Sequence, residues 1–142
     1  MKIKLLVIGK LKEKAYRDRI NEYIKWINKD IPIELIFLKD STENKISKKL
    51  RSHITHQDHV ICVSEEGEKQ SSIGFSEFIF DITRNLIFIV GGADGHPKDI
   101  KEKANQILSL SKMTFPHEMA LLILTEQIYR AITIKKGSKY HR

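Results

Sequence analysis

The stretch Leu86-Ile87-Phe88-Ile89-Val90-Gly91-Gly92-Ala93-Asp94-Gly95-His96-Pro97 decides the fold class. Its first five residues form an apolar run without polar alternation, the signature of a parallel strand buried on both faces. The run empties into three glycines within five residues, Gly91, Gly92 and Gly95, where backbone can approach a ligand closely. The loop is neither a P-loop, lacking Gly-Lys-Ser/Thr, nor a G-x-G-x-x-G fingerprint. An ordinary tight turn would use the same residues.

Working outward, short β-branched runs alternate with helical patterns. Lys2 to Ile8, Pro32 to Leu38 and His59 to Ser64 read as strands, and Leu108 to Met113 as a short last one. Tyr16, Ile20, Tyr23, Ile24 and Ile27 recur at helical spacing and predict a helix to about Asn28. Further helices are expected over 42–52, 74–83 and about 98–107, and a last one opens at Pro116 and runs to about Thr133. The polar stretch from Glu65 to Ser72 reads as a surface loop. This alternation predicts one α/β domain over 1–142, a mostly parallel sheet with helices on both faces. In the last helix Met119, Leu121, Leu122, Ile123, Leu124, Ile128, Ile132 and Ile134 point in too many directions for one stripe. A second copy of the chain would cover the excess, so a homodimer is expected.

At 142 residues, 41% hydrophobic and 30% charged, the chain buries a core and is not of disordered composition. The net charge of +7 points to a polyanionic partner, nucleic acid first. A single cysteine, Cys62, excludes an internal disulfide and a cysteine-based zinc site, and its apolar surroundings make it a small buried hydrophobe. No apolar stretch has the length of a signal-peptide core or a membrane span, so a cytoplasmic protein without membrane attachment is expected.

In open α/β sheets, ligands sit outside the carboxyl ends of the strands. Three such ends carry loop chemistry: Val63 to Gly67, Gly91 to Gly95, and Ser111 to Pro116. His53, His56 and His59 are spaced by three but lack a zinc-site carboxylate pattern, and no metal is predicted. Glu65, Glu66 and Glu68 offer a general base in principle; exposed loop acids are the plainer reading. From Ile128 to Arg142 there are five Lys or Arg residues and no acid. The ending Lys135-Lys136-Gly137-Ser138-Lys139-Tyr140-His141-Arg142 combines cations for phosphates with rings that stack on an unpaired base, although a frayed tail has the same composition.

Four segments in order and spacing carry a family resemblance: Gly91-Gly92-x-x-Gly95, Leu108-Ser109-Leu110-Ser111-Lys112-Met113-Thr114-Phe115-Pro116-His117, Glu126-Gln127-Ile128-Tyr129-Arg130-Ala131, and terminal Tyr140-His141-Arg142. With the opening strand ending at Gly9, the chain resembles over its whole length the RlmH family, bacterial 23S rRNA pseudouridine-N3 methyltransferases of the SPOUT class. The resemblance implies a C-terminal trefoil knot, a dimer, and S-adenosyl-L-methionine (SAM) as methyl donor. It implies a cofactor pocket of Val63, Gly92, Ser111, Lys112, Met113, Thr114, Phe115 and Pro116. Tyr140, His141 and Arg142 would place the target base and manage its charge. Arg130, Lys135, Lys136 and Lys139 would contact RNA of the large subunit or the assembled ribosome, and the tail would reach the other subunit's pocket. This chain departs from the family in shorter loops between the second and third strands, in Ala93-Asp94 and in Lys139. A non-catalytic RNA-binding module, another SPOUT methyltransferase and a flavodoxin-like nucleotide-binding domain are the alternatives; SAM binding separates the first, the modified nucleotide the second, and independence of the tail the third.

Overall fold

The computed structural model describes all residues, Met1 to Arg142. Five strands form one sheet: β1 (Ile3–Ile8), β2 (Ile33–Leu38), β3 (His59–Lys69), β4 (Leu86–Val90) and β5 (Gln106–Ser109). They lie in the order β2-β1-β4-β3-β5, and all pairings are parallel. β4 is central and every one of its residues is buried, as its unbroken apolar run requires.

Side-chain alternation along β1 divides the interior in two. Ile3, Leu5 and Val7 join the larger core with α1 (Lys14–Asn28), α3 (Ser72–Asp81) and α5 (His117–Lys136). Leu6 and Ile8 face the smaller one, closed by α2 (Glu43–Arg51) through Ile46 and Leu50 and by α4 (Lys98–Lys103) through Ile100. Cys62 is wholly buried in that second core, and burial pushes its thiol up to about 11, so it stays protonated at neutral pH.

Register places the site. Val7 and Val63 both pair with Val90, so β1, β4 and the first part of β3 reach the carboxyl rim together. There β3 does not end. Leu108 of β5 pairs with Val63 and again with Glu68, so Ser64 to Gly67 bulge out while the strand resumes to Lys69. The polar stretch expected as a loop is thus half strand: pairing with β5 outweighs a composition that reads as surface. Gly67 permits it, because a Cβ there would lie 2.5 Å from the Ile107 carbonyl oxygen. The expected helix over 98–107 stops at Lys103, and β5 starts earlier than Leu108. Asn105 is the reason: its N–H donates to the Val60 carbonyl at 2.9 Å and its Oδ1 accepts from the Val60 N–H at 2.8 Å. That clamp on β3 takes the backbone out of the helix.

The last helix follows Pro116, whose fixed φ suits a helix boundary, and runs 20 residues to Gly137, at φ +72°. Leu121, Leu124, Ile128, Ala131 and Ile132 face the core. Met119, Leu122, Ile123 and Ile134 are partly buried, Leu122 against the larger core, so the apolar surface left over is smaller than the pattern implied.

Candidate functional site

The three loops that the sequence singled out meet. A cleft of about 330 Å³ at the carboxyl rim is lined by Val63 to Glu66, Val90 to His96, Leu110, Ser111 and Met113 to Phe115, closed by Lys101, His117 and Ala120. The volume falls at the lower end of small-molecule sites. Of the expected cofactor residues, Val63, Gly92, Ser111, Met113, Thr114 and Phe115 line it; Lys112 and Pro116 are exposed and do not. Met113 is the most exposed large apolar residue, at 74%.

The glycine loop closes on itself. Gly92 and Gly95 form an isolated bridge, and a Cβ on Gly91 would stand 2.9 Å from the Gly95 carbonyl carbon and oxygen. Only glycine fits position 91 without moving backbone. The Ser111 loop is held from inside: the Ser109 hydroxyl donates to the Ser111 carbonyl at 2.8 Å, and the Ser111 hydroxyl accepts from the Met113 N–H at 3.1 Å.

Two histidines complete the walls, and neither stood among the sequence-derived site residues. His117 opens α5 with Nε2 3.0 Å from the Lys10 carbonyl and its ring against Gly9, tying the β1 end to the cleft. His96 places Nε2 2.7 Å from the Val63 carbonyl. A carbonyl only accepts, so Nε2 carries the proton and Nδ1 keeps its lone pair. That Nδ1 is buried without a partner. Burial is the main cause that pulls the His96 pKa below the usual imidazole value. A lone histidine between a glycine and a proline carries no periodic signal; its place at a strand's carboxyl rim was the only clue.

Glu65, Glu66 and Asp94 face the cleft against one lysine, Lys101. Glu66 accepts from Lys101 Nζ at 2.6 Å, and that hydrogen bond lowers its pKa, which makes it a poor base. The rim is therefore net negative. His53, His56 and His59 do not converge: His59 Nδ1 meets Arg84 at 3.0 Å, and no group of three or more His, Cys, Asp or Glu side chains is placed to hold a metal.

The C-terminal residues gather elsewhere. Glu126 Oε1 accepts from Arg130 Nε at 2.9 Å and Nη2 at 2.7 Å, and from the Tyr140 hydroxyl at 3.1 Å. Tyr140 stacks edge-on against Tyr129, with Arg130 4.8 Å from its ring centroid. Partial burial, then hydrogen bonding to Tyr23 and the charge of Glu126, raise the phenol's pKa, so it stays protonated. Arg130 Nη1 lies 3.1 Å from His141 Nδ1. A guanidinium only donates, so His141 keeps its proton on Nε2. Lys135 lies 5.7 Å from the Phe80 ring centroid, Lys136 pairs with Asp30 at 2.5 Å, and Lys139 and Arg142 are exposed. Tyr140 anchors nine residues beyond His117, about 14 Å along a helix rising 1.5 Å per residue. Within one chain, the tail and the cleft stay apart.

An all-parallel sheet whose carboxyl rim carries a glycine cradle and a small-molecule cleft defines an α/β cofactor-binding fold. The comparisons make it specific: the family model described as "Predicted SPOUT methyltransferase" matches residues 1–141, and the chain belongs to that family. A Streptococcus uberis protein named ribosomal RNA large subunit methyltransferase H is 40% identical over 159 aligned positions, covering 100% of both chains. A Synechococcus protein of the same name is 41% identical, over 99% of this chain and 95% of its own. Among solved structures, a probable methylase family protein from Haemophilus influenzae has a TM-score of 0.59 at 10% identity, covering 99% of this chain and 70% of that one. The SpoU methyltransferase AviRb from Streptomyces viridochromogenes, solved with AdoMet, has a TM-score of 0.51 at 9% identity over 97% and 59%. These two show the fold, and the family resemblance read from the sequence holds.

Proposed function

We propose that the chain is a SAM-dependent methyltransferase of large-subunit rRNA that methylates N3 of a pseudouridine in 23S rRNA, acting in the cytoplasm as a homodimer with a knotted C-terminal part. The observation that carries the reading is the convergence of three strand-end loops on a cleft with a glycine cradle and an orphaned acceptor. Relatives of this name, about 40% identical over the whole chain, supply the substrate class.

The cleft fits the cofactor by its chemistry. SAM supplies a methyl group on a cationic sulfur, and a rim of Glu65, Glu66 and Asp94 against one lysine suits a cation. His96 Nδ1 offers a buried acceptor to a ligand donor. Backbone of the Gly91 and Ser111 loops would border the adenosine, with Val63 and Phe115 flanking the ring.

The chain's own groups position the nucleotide. Transfer in line requires N3 aligned with the methyl group, so orientation supplies much of the rate. Tyr140, kept protonated, stacks on or hydrogen-bonds the base and does not act as a base itself. His141 presents Nε2–H, a donor suited to a carbonyl oxygen of the uracil ring as negative charge develops at N3. Arg142 adds a cation beside it. Since the tail lies along its own α5 and α1, it serves the partner's cleft, which the partly exposed Met119, Ile123 and Ile134 of α5 bring near by forming the dimer interface.

The test is methylation of ribosomes from a strain lacking the modification, with mass mapping of the labelled rRNA fragment. Methyl on a pseudouridine of 23S rRNA is the expected result. Methyl on another nucleotide moves the substrate, and SAM binding without transfer to any RNA defeats the reading.

A further inference from the structure

The positive charge is distributed unevenly. α2 and α4 hold seven Lys or Arg residues against three acids, an excess of four, and the stretch from Ile128 adds five. The remainder of the chain is therefore net −2 although the whole is +7. The two basic regions lie on opposite faces of the sheet, α2 and α4 over the smaller core and α5 over the larger.

Acids near α2 are already engaged. Asp99 accepts from Ser47 at 2.5 Å and Arg51 at 2.8 Å, locking α4 onto α2. Glu66 takes Lys101, and Glu102 lies 3.9 Å from Lys98. Lys45, Lys48, Lys49 and Lys103 have no ion-pair partner. Lys45, Lys48 and Lys49 stand at i, i+3 and i+4, a spacing at which like charges repel and weaken a helix. The macrodipole favours cations in the last turn, which accounts for Lys48, Lys49 and Arg51 but not for Lys45. Ile46 and Leu50 point to the sheet and Ser47 and Arg51 to α4, which leaves Lys45 and Lys48 exposed and Lys49 partly so. The start of α2 lies near the cleft, where Glu43 accepts from the Lys98 N–H at 2.8 Å, two residues beyond His96, and the lysines follow along the helix away from it.

We propose that Lys45, Lys48 and Lys49 on the outer face of α2 form a second RNA-binding surface that takes phosphates flanking the target nucleotide. The assignment rests on the rRNA methyltransferase reading above. In the dimer one chain supplies the tail at the cleft and the other supplies this surface beside the same cleft, so the RNA is held on both sides of the reacting base.

The test compares the full-length protein with K45A/K48A/K49A, alanine being a strong helix former, and with K45R/K48R/K49R, which retains the charge. Unmodified ribosomes are the substrate, with tritiated methyl transfer measured across a salt series and SAM affinity by calorimetry. The alanine variant is expected to raise KM for the particle about tenfold or more, with kcat and SAM affinity within twofold. Its log(kcat/KM) against log[salt] should flatten by about 2, at roughly 0.7 for each phosphate no longer neutralised. The arginine variant should behave as the wild type. Equal KM and salt slope in the alanine variant, with the wild type active, would overturn the surface assignment alone. A wild type that binds SAM yet methylates no particle removes the parent reading, and the assignment with it.

Discussion

Replacing Glu126 with glutamine tests the tail's anchor. One carboxylate oxygen receives both Arg130 donors and the Tyr140 hydroxyl, while the other accepts from Gln127 Nε2 at 2.8 Å. The Glu126 and Arg130 side chains are 18% and 25% exposed, so water screens the pair only in part. Hydrogen bonds to charged groups contribute roughly 1.5–3 kcal/mol and exposed ion pairs about 0.2–1. Less exposed than a surface pair and made of several such bonds, the cluster should fall in the lower part of the first range, at about 2 kcal/mol. Glutamine keeps the volume, so no cavity term enters, but it removes the charge and turns one acceptor into a donor. For a domain of this size about 3 °C of Tm follows each kcal/mol, giving a fall of about 6 °C at fixed protein concentration. Because Tyr140 and His141 lose their common support, kcat/KM for the ribosomal substrate should fall at least tenfold. SAM affinity should hold within twofold, since Glu126 lies outside the cleft. Tyr140→Phe removes the hydroxyl's bond to Glu126 from a residue 38% exposed, and about 1 kcal/mol is expected. In the double variant the second change should cost less than it does alone, because the two groups share one oxygen. A Tm within 1 °C of wild type together with unchanged kcat/KM would refute the anchoring argument.

Gly91→Ala should weaken SAM binding at least tenfold, about 1.4 kcal/mol, because the new methyl meets Gly95 backbone at 2.9 Å and opens the loop. Gly95→Ala meets nothing within 4 Å and bears only the strain of φ +76°, about 1–2 kcal/mol of stability; calorimetry showing equal SAM binding by wild type and G91A would sink the cradle. Thermal stability should fall as pH drops below about 6.5, since burial depresses the pKa of His96 and, with Arg84 adding to it, that of His59. The unfolded chain then binds protons that the folded one refuses, so the loss begins at the unfolded value and levels off below the folded ones. His96→Gln, which retains a donor to the Val63 carbonyl, should flatten part of that slope in melting curves from pH 7.5 to 5; an unchanged slope would remove His96 from the account.

The sheet was readable because its strands are apolar and its breaks are glycine and proline. β4 needed no tertiary information, and the three rim loops could be nominated from strand ends alone. What escaped depended on partners distant in sequence. Ser64 to Lys69 becomes bulge and strand only because β5 lies alongside and Gly67 lets it cross Ile107. The end of α4 is set by Asn105 reaching Val60, 45 residues away, which no local periodicity encodes. His96 is a site residue through a bond to Val63, 33 residues earlier.

The charge pattern follows from a conflict within the chemistry proposed. A cationic cofactor favours a negative cleft, and a polyanionic substrate favours a positive approach. Charges within about 8 Å of each other interact strongly at physiological salt, so one surface cannot serve both. The chain separates them: Glu65, Glu66 and Asp94 ring the cleft, while the lysines of α2 and the cations after Ile128 stand back from it on opposite faces of the sheet. A helix of 20 residues, about 30 Å long, carries the second group away from its own cleft. On the proposed reading, a monomer so built would hold the cofactor and the base-placing residues apart, and joining them at one nucleotide would take a second copy.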